Sequence, residues 1–250
     1  MVPSWTETLI EAGVDVVGRT AFCTEPKNKV DSIPIVGGTK NIQWNKVKNL
    51  NADFLILDKE ENPKVMADNA IIPYLATHIE GIQDMPKNLL LLGEGLKNET
   101  LKLYAEEWEQ LINQLSQKKL NFSENWQFLP GVIEWWKLPE QKVKQVVYLI
   151  WQDPWMSVSR QTFIGSVLSQ LGLGELLPPY VDKYPEIQLH NYDPRVTLLL
   201  FSTEPYDFAG KKPLLKDLGY PCALVDGSKW SWFGHRSLRF LQEVVKRNNP

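Results

Sequence analysis

The stretch ETLKLYAEEWEQLINQLSQKKL, residues 99–120, decides the fold of this 250-residue chain. Its apolar side chains recur at three- and four-residue intervals with charged residues between them, which predicts one long amphipathic helix. The apolar positions are Leu101, Tyr104, Ala105, Trp108, Leu111, Ile112 and Leu115. Because candidate strands lie on both sides of this stretch, we expect the helix to join two halves of the chain.

Short apolar segments alternate with helical segments in both halves, which is typical of an α/β protein. The predicted strands are 14–18, 54–57, 71–76, 146–151, 196–201 and 222–225, and a further helix is expected over 162–171. A weak internal repeat favours two similar lobes over one continuous sheet. We therefore predict two Rossmann-like α/β lobes, 1–96 and 121–250, bridged by a single long α-helix over 97–120.

Two segments depart from this regular pattern. Prolines and a glycine interrupt 120–142, which we interpret as an irregular excursion with one short helix. At the start, Ser4 and Glu7 have the spacing of a capping box, and Gly13 is placed to end the helix that follows. An alternating chain places a strand before its first helix. Either a first strand, with or without a signal peptide, is missing from this start, or the chain natively begins with a helix.

Composition and charge exclude several classes of protein. The 27 basic and 30 acidic residues give a net charge of −3, without the cationic excess of nucleic-acid-binding proteins, so we expect no nucleic-acid partner. No apolar run approaches the roughly 18 residues that cross a membrane. Cys23 and Cys222 lie far apart and form neither a disulfide framework nor a CxxC motif.

The sequence offers little support for catalysis. It contains no GxSxG, HExxH, GxGxxG or GxxxxGK pattern. His78, His190 and His235 are scattered rather than spaced as metal ligands. Glu60 and Glu61 are neighbours whose side chains would point apart on an extended segment, which makes them a poor acid/base pair. We expect a non-enzyme with no catalytic residue, no metal site and no cofactor.

Large aromatic residues are concentrated in segments that follow predicted strands. These residues are Trp151, Trp155, Tyr206, Trp230, Trp232 and Phe233. Ligands of open parallel sheets bind beyond the carboxyl ends of the strands. Flat apolar surface with a few polar groups there predicts a pocket for a bulky ligand. Any single tryptophan of the set could instead fill a core or an interface.

Several motifs carry a resemblance to a known family. They are VPSWTETL (2–9), VGRT (17–20), IPIVGGTKN (33–41), NADFLIL (51–57), YLIWQDPWM (148–156), QTFI (161–164), YPE (184–186), STEPYDF (202–208), VDG (225–227) and WSWFG (230–234). With these motifs in this order along the sequence, the chain resembles the class III solute-binding proteins of ABC importers. These are helical-backbone periplasmic receptors for cobalamin and ferric siderophores. The second half is most similar to the cobalamin-type branch.

The resemblance implies two lobes that hold a corrinoid, a cobalamin-like molecule or a related metal chelate between them for ABC-type import. By similarity, the ligand contacts are Pro3, Ser4, Trp5, Thr20, Phe22, Gly38, Thr39, Trp44, Lys59 and Glu60 in the first lobe, and Trp151, Asp153, Trp155, Glu204, Tyr206, Trp230 and Trp232 in the second. Glu61 is the candidate for docking on an ABC permease, a role that the neighbouring Lys64 weakens.

Charge favours a corrinoid over a ferric siderophore. Anionic siderophores call for several cations, whereas the candidate loops offer chiefly Arg19, Lys59 and Lys229. Two alternatives stay open: a ferric-siderophore receptor, or a cytoplasmic relative that handles corrinoids or catalyses an unrecognised reaction. We expect a monomer, in the periplasm or another extracytoplasmic space if a signal peptide precedes this sequence and in the cytoplasm otherwise.

Overall fold

The computed structural model describes residues 1–118 and 120–248, which form two compact units. Unit 1 consists of Met1–Asn113 and Trp232–Gln242, and unit 2 consists of the described residues within Gln114–Ser231 and Glu243–Pro250. The sequence-based boundaries did not include a return of the chain to unit 1 near its end.

Unit 1 contains two separate pairs of parallel strands. Strand β1 (Arg19–Thr20) pairs with β2 (Ile35–Gly37), and β3 (Leu55–Asp58) pairs with β4 (Tyr74–Thr77). Its helices are α1 (Pro3–Glu11), α2 (Lys27–Val30), α3 (Trp44–Val47), α4 (Lys64–Asp68), α5 (Met85–Gly95) and most of α6 (Glu99–Gln117). Side chains from both pairs of strands, among them Val36, Leu55 and Leu57, share one buried cluster with Met66 of α4.

Unit 2 is built on one mixed sheet. Its strands are β5 (Val132–Lys137), β6 (Gln145–Trp151), β7 (Met156–Ser157), β8 (Thr197–Ser202) and β9 (Cys222–Val225), in the order β5-β9-β8-β6-β7. The three central strands are parallel, and both edge strands are antiparallel to their neighbours. The helices are α7 (Phe163–Gln170), α8 (Lys212–Lys216) and α9 (Gly227–Ser231), while α10 (His235–Arg247) begins in unit 1 and ends in unit 2.

The long helix has the buried face that its sequence predicts. Leu101, Trp108 and Leu111 of α6 are almost completely buried, and the helix begins in unit 1 and ends in unit 2. The Trp108 Nε1–H donates a hydrogen bond to the Gly234 carbonyl at 3.3 Å. Helix α6 ends at Gln117, so the prediction that it continues to Leu120 is wrong there, and Lys119 lies outside the described residues.

Most predicted strands are confirmed, with two corrections. Residues 14–18 are not a strand, because the ladder with β2 begins only at Arg19. The interpretation of 120–142 as an irregular excursion is wrong over β5, whose β-branched and aromatic residues pair with β9 at the sheet edge. The short helix expected in this excursion is a single 3₁₀ turn, Trp126–Phe128.

The predicted capping box is also wrong. Helix α1 begins at Pro3, and its N-cap, Val2, makes no side-chain capping bond. Proline is well suited to the first helical position because it has no N–H to satisfy and its φ is already helical. Ser4 is therefore inside the first turn, and the Glu7 carboxylate pairs with the Arg236 guanidinium at 2.6 Å instead. Gly13 follows the helix at φ +77°, as predicted.

Candidate functional site

In unit 2 the loops after the parallel strands β6, β8 and β9 are linked to one another. The Thr203 N–H donates to the Val225 carbonyl at 3.1 Å, and the Gly227 N–H donates to the Thr203 hydroxyl at 3.0 Å. The Tyr206 hydroxyl donates to the Gln152 side-chain oxygen at 3.4 Å. The carboxyl edge of this sheet, where ligands of parallel sheets bind, is therefore a single connected surface.

This edge carries an exposed aromatic group with a cation beside it. Trp151 is 40% exposed and meets the Tyr206 ring edge to face, with 5.1 Å between ring centroids. The Lys211 ammonium lies 4.7 Å from the centre of the Tyr206 ring, contacts its hydroxyl and donates to the Gln152 oxygen at 3.1 Å. We name these four residues, Trp151, Gln152, Tyr206 and Lys211, the aromatic edge.

Two other tryptophans expected at the ligand have mainly packing roles in this structure. Trp155 is half-buried and stacks on Phe208 at 6.2 Å, with only 7° between the ring planes. Trp230 is completely buried and stacks on Tyr148 at 5.7 Å. Direct contact between a ligand and the Trp230 ring would require this packing to open.

The two predicted carboxylates of unit 2 lie in the same loops. Asp153 is exposed and has a positive φ of 63°, as its place in the tight turn after β6 requires. Glu204 is half-buried, and its carbonyl accepts a hydrogen bond from the Ser202 hydroxyl at 2.6 Å. Both residues remain candidate ligand contacts.

In unit 1 the exposed candidate residues also follow strands. Phe22, just after β1, is 61% exposed, and a Cβ on Gly38 would lie 3.6 Å from its ring. Thr39 is half-buried, and its carbonyl accepts from the Asn62 amide at 2.8 Å. Lys59, after β3, is exposed. Phe22 is therefore the principal aromatic surface that this unit offers to a ligand.

Four other candidates of unit 1 are turned toward its interior. Trp5 is completely buried, donates from Nε1 to the Thr77 hydroxyl at 2.8 Å and meets Phe233 edge to face at 5.1 Å. Ser4 and Thr20 are also buried, and Trp44 packs against the buried cluster that contains Val36 and Leu57. Ser4, Trp5 and Thr20 therefore shape the interior of the unit, whereas Trp44 is half-buried and keeps part of its ring at the surface.

Two carboxylates and one imidazole form a small cluster that the sequence does not predict. One ligand atom each from Glu60, His78 and Glu80 lies within 4.8 Å of the others, and the His78 Nε2 is 3.0 Å from the Glu60 carboxylate. The parallel pairing of Asp58 with Thr77 is what brings the loops after β3 and β4 together. His78 lies 3.0 Å from Glu60 and 3.8 Å from Glu80; Glu60 and His78 are half-buried, and Glu80 is exposed. Burial raises the pKa of the neighbouring Asp58 carboxyl.

Two charged residues differ from their sequence-based interpretation. The Arg19 guanidinium donates to four backbone carbonyls, including those of Val30 and Cys23, so it organises a loop instead of offering a cation to a ligand. Glu61 is half-buried, and burial raises the pKa of its carboxyl. Its role in permease docking stays a prediction.

Trp232 belongs to unit 1, although its sequence position suggested the second lobe. The Arg236 guanidinium lies 5.1 Å from the centre of its ring, and the same guanidinium pairs with Glu7. The indole is half-buried. Cys23 and Cys222 are both buried free thiols, and no helix within the described residues is long and apolar enough to cross a membrane.

This chain is similar to known proteins in three-dimensional structure only. No family model matches the sequence, and no curated protein matches it either. The periplasmic vitamin B12 binding protein BtuF of Vibrio cholerae is 12% identical with a TM-score of 0.66, over 98% of this chain and 93% of that one. A periplasmic heme binding protein from Pseudomonas aeruginosa is 16% identical with a TM-score of 0.70, over 98% and 89%. The periplasmic heme binding protein HutB of Vibrio cholerae is 16% identical with a TM-score of 0.69, over 99% and 96%.

These similarities extend over nearly the whole chain and over most of each partner chain. They bear out the architecture that the sequence predicts, two α/β units with one long helix running from the first to the second. The chain has the helical-backbone fold of the periplasmic binding proteins.

Proposed function

We propose that this protein binds a planar metal-containing macrocycle, with a corrinoid as the first candidate, and delivers it to an ABC permease without chemical change. The observation that carries the proposal is the aromatic edge, which stands on the ligand-binding side of a parallel sheet in a chain with this fold. Solved proteins of the same fold are described as vitamin B12 and heme binding proteins.

The exposed rings suit such a ligand physically. A macrocycle offers a broad flat face, and an indole or phenyl ring gains dispersion and hydrophobic energy by covering it. Trp151 in unit 2 and Phe22 in unit 1 are both aromatic and exposed, whereas most large apolar side chains of each unit are buried. Exposed aromatic rings next to a few polar groups are the usual composition of a site for a bulky ligand.

Lys211 favours heme as the second candidate. The groups that its ammonium contacts, Gln152 and Tyr206, are both neutral, whereas the adjacent Lys212 pairs with the Glu134 carboxylate. Within residues 1–118 and 120–248 no carboxylate pairs with Lys211, and such a charge near an exposed indole fits a flat ligand that carries a carboxylate. Heme carries two carboxylates, while the side chains of cobalamin are chiefly neutral amides.

Lys211→Met is expected to weaken the binding of hemin by about tenfold, because one charge-assisted hydrogen bond is lost. The affinity for cyanocobalamin should change less than about twofold. Lys212→Met is the matched control. It removes the same charge from the adjacent position, but from a lysine that is already paired with Glu134. Hemin affinities by absorbance titration test this, and an equal loss in both variants would show a general charge effect and no specific carboxylate contact.

Import implies an extracytoplasmic location, which we also propose. Solved proteins with this fold are described as periplasmic. The alternative is a cytoplasmic relative that handles the same class of ligand. Fractionation of cells that express the natural gene distinguishes the two, and recovery of the protein with the cytoplasm alone would contradict the import role.

A further inference from the structure

The last part of unit 1, Trp232–Gln242, which we name the return segment, is held by contacts with two helices. The His235 N–H donates to the Thr8 hydroxyl of α1 at 3.0 Å, and the Gly234 carbonyl accepts from the Trp108 indole of α6 at 3.3 Å. Gly234 has a φ of +91°, and a Cβ there would lie 2.1 Å from the Thr8 hydroxyl oxygen. The start of α10 therefore lies directly against α1 and α6.

Three carboxylates of α1 and α6 act on the His235 ring, and each already pairs with a cation. The pairs are Glu7 with Arg236 at 2.6 Å, Glu11 with Lys29 at 3.4 Å, and Glu107 with Arg239. The Arg239 guanidinium also lies 5.5 Å from the centre of the Tyr104 ring on α6. The charges around the return segment are thus largely matched without a charge on His235.

The imidazole of His235 is packed as a neutral ring. It is tilted against the Tyr104 ring, with 5.3 Å between ring centroids. Its Nδ1 is buried, and no residue in the described part of the chain gives this atom a hydrogen-bond partner. A neutral imidazole keeps one nitrogen without a proton, whereas an imidazolium carries N–H on both nitrogens. Protonation would therefore create a buried N–H without an acceptor, in addition to a buried charge.

The neighbouring charges do not offset this cost. Burial has the largest effect, and it lowers the pKa of His235. The Arg239 guanidinium on the same helix also lowers this pKa, because it repels a positive ring. The carboxylates of Glu7, Glu11 and Glu107 act in the opposite direction, but their effects are smaller.

We propose that the contact of the return segment with α1 and α6 is acid-sensitive, because one proton on the His235 ring disfavours it. When the segment is undocked, its imidazole is hydrated and takes up a proton at the ordinary histidine pKa of about 6.5. The docked ring resists protonation, so the contact is strongest above about pH 6.5 and weakens as the pH falls below that value. Trp232, one of the candidate ligand contacts, lies in the same segment, but the inference does not depend on the proposed ligand.

Amide hydrogen exchange at about pH 7.5 and about pH 5.5 tests this in the parent protein, His235→Phe and His190→Phe. Phenylalanine keeps a ring against Tyr104 but takes up no proton. His190 is exposed in unit 2, so its replacement is the matched control. After correction for the intrinsic pH dependence of exchange, protection over 232–242 is expected to fall at least about threefold at the lower pH in the parent protein and in His190→Phe. It should change by less than about 1.5-fold in His235→Phe.

The proton-binding midpoint of His235 is measured separately by NMR of the imidazole signals, which are assigned by replacing each of the three histidines in turn. This measurement uses the parent protein and remains decisive if His235→Phe does not fold. We expect a midpoint below about 6.5. A midpoint at or above that value would overturn the proposal. An equal fall in protection in the parent protein and His235→Phe, or a fall spread evenly over both units, would also overturn it, since it would indicate general acid unfolding.

Discussion

Trp5→Ala is expected to lower the free energy of unfolding by about 3–5 kcal/mol, because the substitution empties a buried site as large as an indole ring. The side chain is completely buried, and its ring meets Phe233 at 5.1 Å. Its Nε1–H also donates to the Thr77 hydroxyl, which in turn donates to the Asp58 carboxylate at 2.6 Å. Urea unfolding followed by circular dichroism measures the change.

Two further variants separate the contributions to this effect. Trp5→Phe keeps an aromatic ring next to Phe233 but loses the hydrogen bond to Thr77, and we expect a loss of about 1–2 kcal/mol. Thr77→Val removes the hydroxyl from the other side of the same bond. A loss below about 1 kcal/mol in Trp5→Ala would contradict the packing role and return Trp5 to the list of ligand contacts that the family resemblance implies.

Trp151→Ala is expected to weaken macrocycle binding by about 1–3 kcal/mol, or roughly 5- to 150-fold in affinity, through lost stacking area. The ring is 40% exposed and rests against Tyr206. Because part of the ring is covered by the protein, the free energy of unfolding should also fall, but by less than in Trp5→Ala, whose ring is completely buried. Calorimetric titration of the variant and the parent protein measures the affinity.

The matched control is Tyr74→Ala. Tyr74 is 46% exposed, but it begins β4 and so lies at the amino end of a strand, away from the loops where ligands of parallel sheets bind. Ligand affinity should be unchanged in this variant. Equal affinity in Trp151→Ala and the parent protein would remove the aromatic edge from the binding site.

The sequence predicts those parts of the fold that local patterns control. The apolar spacing of α6 and the apolar runs of β6, β8 and β9 are long enough to identify these elements. Strand β5 was missed because it pairs at an edge and half of its residues are exposed, so it lacks an apolar run. Residues 14–18 form no strand because tertiary pairing, which apolar composition does not reveal, begins at Arg19.

The candidate site is less predictable, because exposure depends on packing between elements distant in sequence. Trp151 ends β6 and Trp230 follows β9, so both lie near the carboxyl ends of strands, yet the first is exposed and the second stacks on Tyr148 in the core. The sequence analysis assigns no ligand contact to Lys211, because its contact with Tyr206 and Gln152 depends on the turn before α8. The Glu60, His78 and Glu80 cluster depends on the register of β3 against β4, which the sequence does not specify.

The most direct test of macrocycle binding is a titration of the purified protein with cyanocobalamin and, in parallel, with hemin. Quenching of its ten tryptophans is followed after correction for ligand absorbance, and calorimetry gives the stoichiometry. We predict saturable one-to-one binding, micromolar or tighter, for at least one of the two ligands. No heat and no saturable quenching with either ligand would contradict the proposed function.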